Sequence, residues 1–261
     1  MEIPFYQVDA FADKLFAGNP AAVCPLGTWL PDSLLQSIAA ENNLAETAYF
    51  VPENSGYTLR WFTPSVEVDL CGHATIASAY VVMNCLTQGV DRVVFETRSG
   101  PMPVERRGDR YFLDFPCRPG APASVHPELS SALRAKPKEV RTARDIMAVF
   151  ESEDEVRALQ PDFAAIAKLD TFAVIATAPG NEVDFVSRFF APKQGIPEDP
   201  VTGSAHCTLI PYWAEKLGKT KLVGRQISPR GGVIECELRG DRVSIGGGAV
   251  LFASGNIHLP G

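Results

Sequence analysis

The sequence predicts two lobes of one repeated fold, each mixing short strands with an apolar helix, and three observations carry that prediction. A block Arg60-Trp61-Phe62-Thr63-Pro64 recurs as Arg188-Phe189-Phe190-Ala191-Pro192. Each copy leads through a short acidic loop, Glu67-Val68-Asp69 or Glu198-Asp199-Pro200, to a glycine, Gly72 or Gly203, that opens an apolar helix. The offset is 128 at the arginine (188 − 60) and 131 at the glycine (203 − 72), so the second loop carries three extra residues. Between these landmarks lie short alternating segments punctuated by Gly and Pro, which read as strands.

The elements follow in chain order. Phe5 to Ala10 and Ala21 to Pro25 read as strands on either side of the loop Gly18-Asn19-Pro20. Leu34, Leu35, Ile38 and Ala39 fall at helical spacing after Pro31-Asp32, and this helix fades at Asn42-Asn43. Ala45 to Val51 and Tyr57 to Phe62 are strand-like. Gly72 to Leu86 carries no charge, so it predicts a buried helix. Val90 to Thr97, Met102 to Glu105 and Tyr111 to Phe115 are strands. Pro116 to Pro127, rich in Pro and Ala, is the expected linker. In the second half Asp145 to Phe150, Thr171 to Thr177 and Val183 to Phe190 read as strands, and Glu153 to Leu159 as a short helix. Gly203 to Leu217 is the second apolar helix, which Pro211 is expected to kink. Val233 to Leu238, Arg242 to Gly246 and Ala249 to Phe252 are closing strands. The expected division is 1–117, with about 249–261 returning, and 118–248. Residues 121–160 carry no motif.

Composition narrows the function. The chain has 261 residues, 46% hydrophobic and 21% charged, which is enough apolar material for a full core. Its 24 Lys and Arg against 31 Asp and Glu give −7, with no basic run, so nucleic acid is a poor partner. No stretch is long enough to span a bilayer and the start lacks a secretory pattern, so a cytoplasmic protein is expected. The six cysteines form no C-x-x-C pair and read as buried, reduced thiols. No phosphate loop, zinc motif or dinucleotide fingerprint is present; Gly246-Gly247-Gly248 ends a strand with no helix after it. No metal and no cofactor is expected.

The duplication has a chemical consequence. Two helix starts, at Gly72 and Gly203, would face each other across a cleft between the lobes. Their unpaired N–H groups suit a carboxylate or an enolate-like intermediate.

The blocks Asp9-Ala10-Phe11, Phe16-Ala17-Gly18-Asn19-Pro20, Asn43-Leu44-Ala45-Glu46-Thr47, Leu70-Cys71-Gly72-His73-Ala74-Thr75 and Glu198-Asp199-Pro200-Val201-Thr202-Gly203-Ser204-Ala205-His206 resemble the signature of the PhzF-like family of phenazine-biosynthesis isomerases. The resemblance implies an α+β, diaminopimelate epimerase-like fold: two similar lobes, each a curled, mostly antiparallel sheet around a central helix, with the active site in the cleft between them. It implies a cofactor-independent isomerase acting on a small carboxylate, related to a dihydro-hydroxyanthranilate isomerase, and commonly a homodimer. The proton-shuttling glutamate of the pattern falls on Glu46, and a buried carboxylate can take a proton and return it. His73 becomes a substrate-contacting or proton-relaying group. Asp199 orients the substrate or His73, although Asp-Pro alone reads as a turn. Ser204 and Thr202 line the substrate, Gly72 and Gly203 supply N–H donors, and Asn19 and Arg230 are further substrate candidates; Arg230-Gly231-Gly232 also reads as a hairpin turn.

Two alternatives compete: an amino-acid racemase or epimerase, and a non-catalytic small-molecule-binding protein on the same fold. Related racemases use a cysteine at each helix start, and here Cys71 is matched by Thr202. Cys71 is therefore read as a helix-start residue whose pKa the helix dipole lowers. Being two apart on a helix, Cys71 and His73 are not expected to touch.

Overall fold

The computed structural model describes residues 1–53, 56–87 and 89–259; the last two positions of the expected returning segment lie outside them. Contacts divide the chain into two compact units, Met1–Asp114 with Gly246–Gly261, and Phe115–Ile245. No helix among the described residues is long and apolar enough to cross a membrane.

In the first unit Glu2–Ala10 pairs antiparallel with both Ala249–His258 and Asn19–Pro25. Asn19–Pro25 runs parallel to Glu46–Glu53, which pairs antiparallel with Gly56–Phe62. Gly56–Phe62 runs parallel to Arg92–Glu96, and Met102–Arg107 and Arg110–Pro116 complete an antiparallel run. The helix Gly72–Val81 buries nearly every side chain, from His73 to Val81. It packs against strands from both ends of this order, including Ala249–His258 and Met102–Arg107, so the sheet curls around it. Its polar side chains are satisfied locally: Ser78 Oγ donates to the Ala74 carbonyl at 2.8 Å. The uncharged stretch continues to Leu86 as expected, but Val82–Leu86 is a single π-helical turn.

The second unit repeats the strand logic. Ile146–Val149 runs parallel to Val174–Pro179, which pairs antiparallel with Phe185–Ala191, which runs parallel to Lys221–Gln226. The helix His206–Leu217 packs on Lys221–Gln226 and Gly232–Arg239. It runs on through Pro211, which lacks the N–H owed to the Cys207 carbonyl. The Arg118 N–H takes that carbonyl at 2.9 Å, so a neighbouring segment replaces the lost bond.

Several sequence expectations shift. The expected linker contains a strand, Ala121–Ala123, paired with Glu139–Thr142, and ends at the start of a helix, Pro127–Leu133. Lys221–Gln226, Glu139–Thr142 and Ile196–Asp199 are strands that the apolar pattern does not signal. Gly203 does not open the α-helix itself; His206 N–H reaches back to the Gly203 carbonyl at 3.0 Å, a tighter turn that leads into it. Of the six thiols, Cys24, Cys71, Cys207 and Cys236 are buried, Cys117 is half-buried and Cys85 is exposed, because the π-turn carries Cys85 out of the core.

The duplication is visible in side chains. Arg60 Nε and Nη2 fork onto Glu67 at 2.7 and 2.8 Å, and Arg188 Nε and Nη2 fork onto Glu198 at 2.8 and 2.8 Å. Each guanidinium also lies over the aromatic ring two residues on, Phe62 at 5.1 Å and Phe190 at 5.0 Å. The offset of 131 also pairs Thr75 with His206 (75 + 131), and the two do the same job. Thr75 Oγ1 donates to the Cys71 carbonyl at 2.5 Å, and His206 Nδ1 donates to the Thr202 carbonyl at 2.8 Å.

Candidate functional site

In the first unit, two strand starts converge on the start of the buried helix. Glu46 is the first residue of its strand and lies opposite Ala21 in the parallel pairing with Asn19–Pro25. Asn19 begins that neighbouring strand and is fully buried. Gly18 before it has φ +68°, and a Cβ there would sit 2.2 Å from the Ala10 carbonyl oxygen, so only glycine lets the chain turn here and deliver Asn19.

His73 lies in the first turn of the helix with its ring between these groups. Its Nε2 is 3.1 Å from Glu46 Oε2, with the side chains only 6% and 12% exposed. Both atoms are buried, and neither makes a well-directed hydrogen bond to any other described residue. On the other side of the ring, Nδ1 lies 3.2 Å from Asn19 Nδ2 and 3.5 Å from Cys71 Sγ. Glu46 is thus not a solvated strand end.

The Cys71–His73 contact corrects the helical-spacing argument. Cys71 is the residue before the helix, with extended backbone at φ −145° and ψ 109°, so its side chain leaves the helical register and meets His73. The thiol expectation is also corrected. Burial, reinforced by the Glu46 carboxylate, pushes the Cys71 thiol up to about 11. For His73, burial opposes a charge, but the Cys71 sulfur and the Glu46 carboxylate outweigh it and raise its pKa well above the ordinary histidine value.

The second unit holds a different polar cluster. Asp199 ends the strand Ile196–Asp199 and is buried, as is Thr202, whose hydroxyl donates to Asp199 Oδ2. Gln226, fully buried at the end of Lys221–Gln226, was not singled out in the sequence. Its Oε1 accepts from the Thr202 N–H at 2.9 Å, and its Nε2 donates to the Asp199 carbonyl at 2.6 Å. Ser228 Oγ donates to the Pro200 carbonyl at 2.7 Å and accepts from the Gly231 N–H at 3.1 Å. Two side chains from one hairpin therefore clamp the Asp199–Thr202 loop. The signal for them was weak: a Gln and a Ser near a Gly-rich turn.

Ser204 is half-buried in the tight turn after Gly203. Arg230 lies in the loop over residues 227–231 that joins the antiparallel strands Lys221–Gln226 and Gly232–Arg239, which is the hairpin reading. His206, the last residue of the signature, is neutral: burial pulls its pKa down to about 4 against the hydrogen bond to Thr202.

The two halves do not carry equivalent chemistry. Thr47 pairs with Phe62, and Val174 pairs with Phe190, so the residue matching Glu46 in the second half is Ala173, which is buried. Ser204 matches His73 (204 − 73 = 131). The acid and imidazole exist only in the first copy, and the hydroxyl–carboxylate pair Thr202–Asp199 only in the second.

Three comparisons place the chain among known proteins. Residues 8–255 match the family described as Phenazine biosynthesis-like protein. An uncharacterized isomerase of Pseudomonas aeruginosa is 52% identical over 260 residues, covering 99% of this chain and 100% of the relative. The crystal structure of a PhzF-family phenazine biosynthesis protein from Enterococcus faecalis superposes with a TM-score of 0.97 at 49% identity, covering 99% of this chain and 100% of that one. A hydroxyproline epimerase from Agrobacterium vitis, at 11% identity and a TM-score of 0.62 over 98% of this chain and 92% of its own, shares the fold alone.

Proposed function

The chain belongs to the phenazine biosynthesis-like (PhzF) family of isomerases, with the diaminopimelate epimerase-like α+β fold, and we propose that it moves a proton on a small carboxylate substrate without a cofactor, using Glu46 as acid and base. The observation that carries this reading is the buried pair Glu46–His73, 3.1 Å apart. A carboxylate held against an imidazole can accept a substrate proton while His73 adjusts its own proton to balance the charge, and can then return that proton at a second carbon. Asn19 holds the ring at its other nitrogen, Nδ1, which gives it an orienting role on His73 in preference to substrate contact. Asp199, set by Thr202 and Gln226, and Ser204 are the substrate-orienting groups of this reading, with the N–H groups at Gly72 and Gly203 as donors to its carboxylate. The substrate of this reading is a small carboxylate from which a proton can leave beside the carboxylate or a conjugated system, as it can in a dihydro-hydroxyanthranilate, and a cytoplasmic homodimer is the expected form.

The racemase reading needs a proton donor at each helix start. Thr202, whose hydroxyl is already committed to Asp199, is a poor second acid beside the thiol of Cys71.

The test is incubation in deuterated water with dihydro-hydroxyanthranilate and a panel of cyclic and amino carboxylic acids. Deuterium should enter a ring acid with the wild type and fall by about 10²–10⁴-fold with Glu46→Gln. Unchanged incorporation in that variant overturns the role of Glu46; exchange confined to the α-carbon of an amino acid favours the racemase.

A further inference from the structure

The cluster Glu46, Cys71 and His73 presents a carboxylate, a thiol and an imidazole whose donor atoms lie within 4.8 Å of one another. This is a zinc-type donor set, one that no spacing motif announces because the carboxylate comes from a strand 25 residues before the thiol (71 − 46). We propose that these three side chains form a binding site for a borderline-soft divalent cation of the zinc class, and that the cation and the proton exclude each other there.

The geometry supports the assignment in two independent ways. Glu46 Oε2 and His73 Nε2 are 3.1 Å apart. Two donors at that separation subtend roughly 95° at a cation about 2.1 Å from each, within reach of a tetrahedral angle. Both atoms are also buried without a well-directed hydrogen bond to any described residue, so a cation arriving between them breaks none. Cys71 is the third donor. Its sulfur lies 3.5 Å from the other ring nitrogen, Nδ1, and within 4.8 Å of the other two donor atoms, so it has to swing round towards Nε2 to reach the roughly 3.6 Å spacing of tetrahedral ligands of this type. Three protein ligands leave a fourth position for water or a substrate carboxylate.

The binding step balances without redox chemistry. The Cys71 S–H bond breaks, its proton passes to solvent, and a sulfur–metal bond forms in its place. The proton on His73 Nε2 leaves likewise, and lone pairs of Nε2 and of Glu46 Oε2 go to the cation. A cation seated there occupies the oxygen that the proposed reaction needs. The inhibitory consequence rests on the proposed function; the binding does not.

The experiment reads the two separately. Full-length protein, stripped by chelator, is titrated with Co²⁺. One equivalent should produce a thiolate-to-cobalt charge-transfer band with tetrahedral d–d absorption, and Zn²⁺ should displace it. Cys71→Ser should lose the charge-transfer band and weaken binding by roughly tenfold or more, while Cys85→Ser and Cys117→Ser keep the band. If the serine variant does not fold, X-ray absorption on the zinc-loaded wild type should find one sulfur with oxygen or nitrogen neighbours. No band at saturating Co²⁺, a band insensitive to Cys71→Ser, or a zinc shell without sulfur overturns the site. In the deuterium assay Zn²⁺ should abolish exchange and chelator restore it. Cobalt binding with exchange untouched by Zn²⁺ overturns the exclusion; if no compound exchanges at all, the proposed function fails while the spectra still decide the site.

Discussion

The side-chain amide of Asn19 lies 3.2 Å from Nδ1 of His73, while the other ring nitrogen, Nε2, faces Glu46 at 3.1 Å. The imidazole is thus held between an amide and a carboxylate, 54 and 27 residues distant in sequence (73 − 19 and 73 − 46). An imidazole held at both nitrogens has a defined orientation, and its tautomer follows from what faces each one.

Removing that amide should uncouple orientation from fold. Asn19→Ala is expected to cost about 1–2 kcal/mol of stability, the usual loss of one buried hydrogen bond. Proton exchange should slow by a further order of magnitude or so, because the ring can turn away from Glu46. Urea unfolding and the deuterium assay separate the two effects; exchange at the wild-type rate contradicts the orienting role.

Gln226 is the clamp on the second cluster. Gln226→Ala leaves the Thr202 N–H and the Asp199 carbonyl buried without this partner. The expected cost is about 2–4 kcal/mol, one to two unsatisfied groups plus a cavity. A shift of the urea midpoint smaller than one kcal/mol in equivalent terms would mean water takes over both bonds.

The two arginine forks should behave alike. Arg188 and Glu198 are 11% and 14% exposed, so truncating the arginine strands a mostly buried carboxylate. Arg188 also donates to the Leu159 carbonyl at 2.8 Å. Arg188→Ala should destabilise by about 3–5 kcal/mol, whereas Arg188→Met with Glu198→Leu should recover much of that. Thermal melts of the single and double variants check it.

His206 ties stability to pH. Its folded pKa is near 4, and its unfolded value is about 6.5. The group therefore costs nothing above pH 6.5. Below that the unfolded chain binds the proton first, and stability falls until about pH 4, by at most about 3 kcal/mol. Asp145 works the other way: burial raises it to about 6, so it lowers stability as pH rises from about 4 to 6. Comparing urea unfolding at neutral and mildly acidic pH, His206→Asn should lose less stability on acidification than the wild type, and Asp145→Asn should lose more.

Much of the site was legible as residues and little of it as contacts. Glu46, His73 and Asp199 stand in blocks whose order marks them. The Cys71–His73 approach was missed because the spacing argument assumed both residues were helical, and Cys71 is not. Gln226 was missed because a lone Gln at a strand end carries no pattern; its role exists only once the Asp199–Thr202 loop folds over it. Pro211 predicts a kink from sequence, which cannot show that the Arg118 N–H will take the carbonyl it frees.

What the sequence determined by itself is local and repeated: the duplicated Arg-aromatic block, the uncharged helices, and turns that demand glycine, such as Gly18. These depend on periodicity and on backbone sterics, which act between near neighbours. Tertiary structure alone decided which donors meet. The parallel pairing of Asn19–Pro25 with Glu46–Glu53 sets Asn19 and Glu46 at neighbouring strand starts, and the curl of the sheet around Gly72–Val81 brings His73 between them. The second copy has Ala173 and Ser204 at the corresponding places, so the same backbone geometry there assembles no acid–imidazole pair.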